Sequence, residues 1–122
     1  MDTSLAESPV FHAPALAELR ALEKDRFTFG LVDELLAMFL RSTPTRIDRI
    51  LVSLRDRDFA RASQTAHILR SSASALGAVR FARVCERFGR LSLADTAAIE
   101  SWAGDLHREF AEVHRVFREL AA

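Results

Sequence analysis

Glycine and proline are scarce in this 122-residue chain, with four of the first and three of the second. The glycines stand at positions 30, 77, 89 and 104 and form neither a GxGxxG motif nor a P-loop. No loop that cradles phosphates is therefore visible, and ATP binding by this chain alone is excluded as an expectation. The one cysteine, Cys85, has no intrachain disulfide partner and no CxxC or Cys/His cluster for zinc around it, which points to a reducing compartment. Lysine is nearly absent too: 16 of the 17 basic residues are arginine, so Schiff-base chemistry would fall to Lys24 in the charged stretch EKDR. The longest apolar run, Leu35 to Leu40, is six residues, where a membrane span needs about 20. Charge of either sign is not in excess, with 17 acidic residues against 17 basic, so the overall balance recommends neither nucleic acid nor an anionic membrane as partner. The opening MDTSLAESPVFHAP has no hydrophobic h-region or cleavage signature, and a cytoplasmic location is expected.

What is present is an ordinary globular composition, 49% hydrophobic and 28% charged, of a length that suits one domain. Apolar residues recur at spacings of three and four almost throughout, and no alternating stretch competes, so the chain reads as all-α. Residues 1–13 are expected to be a flexible tail and 14–122 the helical domain, beginning with a short helix from about Pro14 to Glu23. A second helix from near Gly30 carries Leu31, Leu35, Phe39, Ile47, Ile50 and Leu54 on one face and passes through Pro44. Proline removes one backbone hydrogen bond there, but the face continues in phase, which favours one kinked helix. Asp56 and Asp58 then mark a short turn into a third helix, about Asp58 to Leu76, with Phe59, Ala62, Ala66, Leu69, Ala73 and Leu76 inward and Gly77 as its stop. A fourth helix is expected from about Val79 to Leu91, burying Phe81, Val84 or Cys85, Phe88 and Leu91. A fifth, about Asp95 to Leu120, buries Ile99, Trp102, Leu106, Phe110, Val113, Phe117 and Leu120. Together they predict an antiparallel four-helix bundle with a short additional N-terminal helix, and the polar face on each helix suggests a monomer.

Histidine is the side chain whose ordinary pKa lies near neutrality, so its place on a helix separates structural from chemical roles. Taking the inward residues of the third helix as the core direction, His67 points roughly 140° away from it at 100° per residue. Gln64, Arg70, Ser71 and Ser74 share its helical surface. A neutral imidazole can attack a phosphoryl group, an arginine can bind the phosphate oxygens, and small serines leave room for a bulky donor. By geometry alone, a merely exposed histidine would fit as well.

The string AHILRSSASALGA, residues 66–78, resembles the signature H-x-L-K-G-S-[SA]-x-x-L-G of histidine-containing phosphotransfer (HPt) domains. His67, Leu69, Ser72, Ala73, Leu76 and Gly77 match it. FARVCERF, residues 81–88, is similar to the family's next helix, in which Cys85 would be a core residue, and residues 35–67 resemble the family upstream, including a proline after the Phe. Two positions depart from the pattern: Arg70 stands where the family has lysine, keeping the charge, and Ser71 where it has glycine, adding a hydroxymethyl group one turn from His67.

This resemblance implies a phosphorelay intermediate. His67 would accept a phosphoryl group from the aspartate of one response-regulator receiver domain and pass it to that of another, in a pathway headed by a hybrid sensor histidine kinase. Arg70 would stabilise the phosphate, and Gln64, Ser71 and Ser74 would belong to the receiver docking surface. No cofactor of the chain's own is implied, since Mg2+ comes with the receiver, nor any enzymatic activity without a partner. The alternative is a module that docks receivers or kinases without relaying phosphate.

Other candidates attract structural readings. His107 and His114 lie two turns apart, about 10 Å along the helix, which is too far for one metal ion. His12 falls in the tail with no ligating neighbours, and Trp102 and most phenylalanines fall at core spacing. Arg83, Arg87 and Arg90 are expected to form a solvated face with Glu86, the alternative being that Arg83 or Arg87 borders the docking surface, since this helix neighbours the histidine helix.

Overall fold

A computed structural model describes residues 9–121, leaving aside the side chain of Ala121. Five α-helices follow one another: α1 (Ala13–Asp25), α2 (Leu31–Arg55), α3 (Phe59–Ala75), α4 (Val79–Glu86) and α5 (Thr96–Ala121), with a 3₁₀ turn, Arg87–Arg90, after α4. Among the described residues there is no strand. α2 packs on α3, α3 on α4, α4 on α5, and α5 returns to α2, so the four longer-range neighbours close a bundle, while α1 lies against α2.

The ends of the elements follow local chemistry. Asp58 caps α3, its side chain accepting from the Arg61 backbone N–H at 3.2 Å, and Asp95 does the same for Ala98 at the head of α5, at 3.1 Å. Gly77 stops α3 with φ +87°, the left-handed conformation that glycine adopts without strain. α2 runs without interruption through Pro44, whose ring lies on the exposed side, where water can compensate for the missing backbone bond.

The core is the inward stripe of each helix: Ala62, Ala66, Leu69 and Ala73 of α3 meet Leu36, Phe39, Ile47 and Ile50 of α2 and Phe81 and Val84 of α4. Trp102 of α5 is fully enclosed, its indole N–H donating to the Val84 carbonyl at 2.7 Å and its ring 5.4 Å from that of Phe88. That bond ties α5 to the end of α4 while removing the penalty of burying the indole N–H.

Several expectations are corrected. The first half of α2 buries Val32, Leu36, Phe39 and Thr43, whereas Leu31 is 45% exposed and Leu35 half-buried, because a stripe that steps back from Phe39 at 3.6 residues per turn passes through Leu36 and Val32. Thr43 tolerates burial by donating its hydroxyl to the Phe39 carbonyl at 2.6 Å. α4 ends at Glu86, not Leu91, since the chain tightens into the 3₁₀ turn that contains Gly89. Leu120 is exposed in the last turn of α5, beyond Phe117, the last of the helix's fully buried residues. The tail expected over residues 1–13 is docked in its described part: Val10 and Phe11 pack on the core, and the Phe11 ring meets Phe117 edge-on at 6.1 Å. The His12 N–H also donates to the Gly77 carbonyl at 2.6 Å, which accepts from the Val79 N–H at 2.9 Å as well. Residues 1–8 lie outside the described part, and α1 begins at Ala13 with Pro14 in its first turn.

Candidate functional site

α3 owes its site to its small inward residues. Alanines at 62, 66 and 73 let the helix sit close to both neighbours, so the stripe opposite them is left at the surface. His67, the ninth of the 17 residues of α3, is exposed on that stripe, and so are Gln64, Arg70, Ser71 and Ser74. A mid-helix position fixes the imidazole's backbone, since the helix frays only at its ends.

A shallow cleft of about 130 Å³ runs between α3 and the end of α4. Ser63, Ala66, His67 and Arg70 form one wall and Cys85, Glu86 and Phe88 the other. His67 and Arg70 are thus brought together, whereas Gln64, Ser71 and Ser74 share the helix surface without lining the cleft. Neither His67 nor Arg70 has a hydrogen-bond or ion-pair partner among the described residues. The guanidinium is therefore uncommitted, with its full set of donors available to an incoming oxyanion.

The opposite wall is quieter. Cys85 is buried, and that burial pushes its thiol up to about 12, outweighing the opposing effect of a backbone hydrogen bond. A thiol so far above neutrality stays protonated, which makes it part of the apolar floor with Phe88 and rules it out as the nucleophile. The arginines beyond divide: Arg90 reaches Glu86 at 3.8 Å on the surface, but Arg87 is half-buried and pairs with Asp105 of α5 at 2.9 Å. The solvated face expected for Arg83, Arg87 and Arg90 is thereby corrected for Arg87, which clamps the 3₁₀ turn to α5.

On the other flank of α3 a second depression, about 300 Å³, is lined by Leu19 of α1, Leu35, Met38, Ser42 and Arg46 of α2, and Ser72 and Ala75 of α3. Its mainly apolar wall with one arginine at the edge suits a protein surface better than a small polar ligand. His107 is exposed and His114 half-buried against Phe110 at 6.0 Å, and among the described residues no three His, Cys, Asp or Glu side chains gather as a metal site. Sequence reasoning missed Ser63, Glu86 and Phe88 as neighbours of His67. Signals were available for all three: Ser63 stands four residues before His67 on the same helix, and Glu86 and Phe88 lie beside Cys85 on the segment already matched to the helix after the histidine.

The chain matches the family model described as Hpt domain over residues 34–121. Its fold is similar to the crystal structure of histidine-containing phosphotransfer protein B (HptB) from Pseudomonas aeruginosa PAO1, at 24% identity and TM-score 0.74, covering 93% of this chain and 96% of that one. It is also similar to a putative histidine-containing phosphotransfer protein from rice, at 16% identity and TM-score 0.76, covering 98% of this chain and 84% of that one. Among curated proteins no match is found.

Proposed function

The chain belongs to the Hpt domain family and has the histidine phosphotransfer role of that family in a phosphorelay; from that premise we propose that His67 is the residue that carries the phosphoryl group. The observation that carries this reading is an exposed imidazole in the middle of a well-packed helix with an uncommitted arginine one turn away. In the proposed step the lone pair of an imidazole nitrogen attacks the phosphorus of a receiver's aspartyl phosphate. The P–O bond to the aspartate breaks, and the carboxylate leaves with its electron pair. Arg70 binds the phosphoryl oxygens through the transfer. Transfer to a second receiver is the same step reversed.

Phosphotransfer domains of this family work with receiver domains and kinases, and here the partners are assigned as response-regulator receivers and a hybrid sensor kinase. Gln64, Ser71 and Ser74 stand within reach of a receiver seated over His67, and the apolar depression beside Met38 extends that surface. Mg2+ belongs to the receiver in this scheme, and the chain acts as the relayed substrate with no catalytic activity of its own. No described helix is long and apolar enough to cross a membrane; a cytoplasmic monomer is the form we assign.

The alternative, docking without relay, draws on Ser71, whose exposed side chain occupies space one turn from His67. Incubation with a phosphorylated receiver separates the two. Transfer of label to the wild type and none to His67→Gln supports the relay, whereas a complex that forms with no transfer supports the docking module.

A further inference from the structure

The two ends of the bundle differ. At the Gly77 end the segment before α1 closes the core, with Phe11 seated against Phe117 and Gly77. At the other end, where α2 turns into α3 beside the start of α5, a cavity of about 460 Å³ stays open among the described residues. Leu51, Phe59, Leu93 and Ile99 line it, each half-buried and packed on the core from its other side. Such a volume lies within the roughly 300–1,000 Å³ of sites that take small molecules.

The charged part of the lining is Arg55, Arg57 and Glu100, two cations against one anion. Among the described residues neither arginine has an acidic partner, and the carboxylate of Asp58, next to Arg57, is turned to Arg61 and the cap of α3. Arg57 is nevertheless held in place. It has φ +60° in the turn that closes α2, where the Asp58 N–H donates to the Ser53 carbonyl at 2.8 Å, and its guanidinium lies over the Phe59 ring, 5.6 Å from the centroid. Glycine would adopt that conformation without strain, so an arginine there keeps a cation at the rim of the cavity against a backbone cost.

We infer that this cavity is a binding site for a small amphipathic carboxylate of the medium-chain fatty acid class: the alkyl chain lies along Leu51, Phe59, Leu93 and Ile99, and the carboxylate accepts hydrogen bonds from Arg57 and Arg55 at the rim. The planar guanidinium fork suits a carboxylate, and the apolar lining gains by being covered. Glu100, on the α5 wall, disfavours a second negative charge and so selects a monoanion over a phosphate dianion. The site is independent of the assignment of His67, which stands eight residues along α3 from Phe59, about 12 Å away.

Titration of the full chain with octanoate, followed by its amide 1H–15N shifts, tests this, with octanol and octylammonium at matched concentrations as controls. The expected result is saturable shifts centred on Leu51, Phe59, Leu93 and Ile99, with a Kd on the order of 1 mM for a ligand of this size. Octanol should bind about threefold more weakly, and octylammonium more weakly still. Arg57 and Glu100 are exposed, so both can be changed without unfolding the bundle. Arg57→Gln should weaken octanoate about threefold and leave octanol unchanged, whereas Glu100→Gln should tighten octanoate by a similar factor. Absence of shifts at the four apolar residues, octanol binding as tightly as octanoate, or indifference of octanoate to both substitutions overturns the proposal. So does a ligand-free protein that sediments as a dimer with these residues at its interface, because a second copy then fills the cavity.

Discussion

Cys85 lies 2% exposed between α3 and α4, and burial moves its thiol from an ordinary 9.0 up to about 12. In the unfolded chain the thiol returns to its ordinary value, so the native state holds that proton more tightly than the unfolded state. The contribution is fully present below pH 9 and is lost as the pH rises toward 12. The whole window is worth a few kcal/mol, of which on the order of 1 kcal/mol is gone by pH 10. The composition isolates this effect, because the chain has no tyrosine and one lysine to titrate in the same range. Urea unfolding followed by Trp102 fluorescence at pH 7.5, 9 and 10 measures it, with Cys85→Ala alongside. The variant starts less stable, since it leaves a small cavity, but between pH 7.5 and 10 it should lose on the order of 1 kcal/mol less than the wild type. Parallel pH profiles for the two proteins would refute the argument, and with it the reading of Cys85 as an inert floor for the His67 cleft.

Other consequences follow from single contacts. Arg80 pairs with the buried Glu109 at 2.7 Å, so Glu109→Ala strands a partly buried guanidinium and should cost about 2–3 kcal/mol in urea unfolding, most of it recovered by replacing both partners with apolar residues. Gly77→Ala combines a left-handed φ of +87° with a Cβ only 2.7 Å from the His12 carbonyl oxygen; about 2 kcal/mol of stability should be lost, with faster hydrogen exchange at the His12 amide. Trp102→Phe leaves the Val84 carbonyl without its 2.7 Å donor and should lower stability by about 1–2 kcal/mol in thermal unfolding.

The parts of the molecule legible in the sequence are those decided within one helix. The outward direction of His67 follows from the spacing of Ala62, Ala66, Leu69 and Ala73 along the same element, and needs no knowledge of what α3 packs against. Where two elements decide together, the sequence is silent or misleading. LVDELLAMFL offers two apolar faces, and packing against the bundle core selects Val32 and Leu36 over Leu31 and Leu35. Glu109 looks like a surface residue until Arg80, 29 positions earlier, is brought against it. The same reason hid the far wall of the cleft: Glu86 and Phe88 become neighbours of His67 only through the packing of α3 on α4 and the tightening of the chain at Arg87, whereas Ser63 lies one turn before His67 on the same helix.

The central claim is that the phosphoryl group resides on His67. Its most direct test is to phosphorylate the protein with a phosphorylated receiver, digest it at neutral pH and locate the added phosphate by mass spectrometry, with the linkage checked for acid lability and base stability. The expected result is an acid-labile, base-stable phosphoryl group on the fragment that contains His67, absent from His67→Gln. A phosphoryl group on His12, His107 or His114, or one stable to acid, would contradict the account.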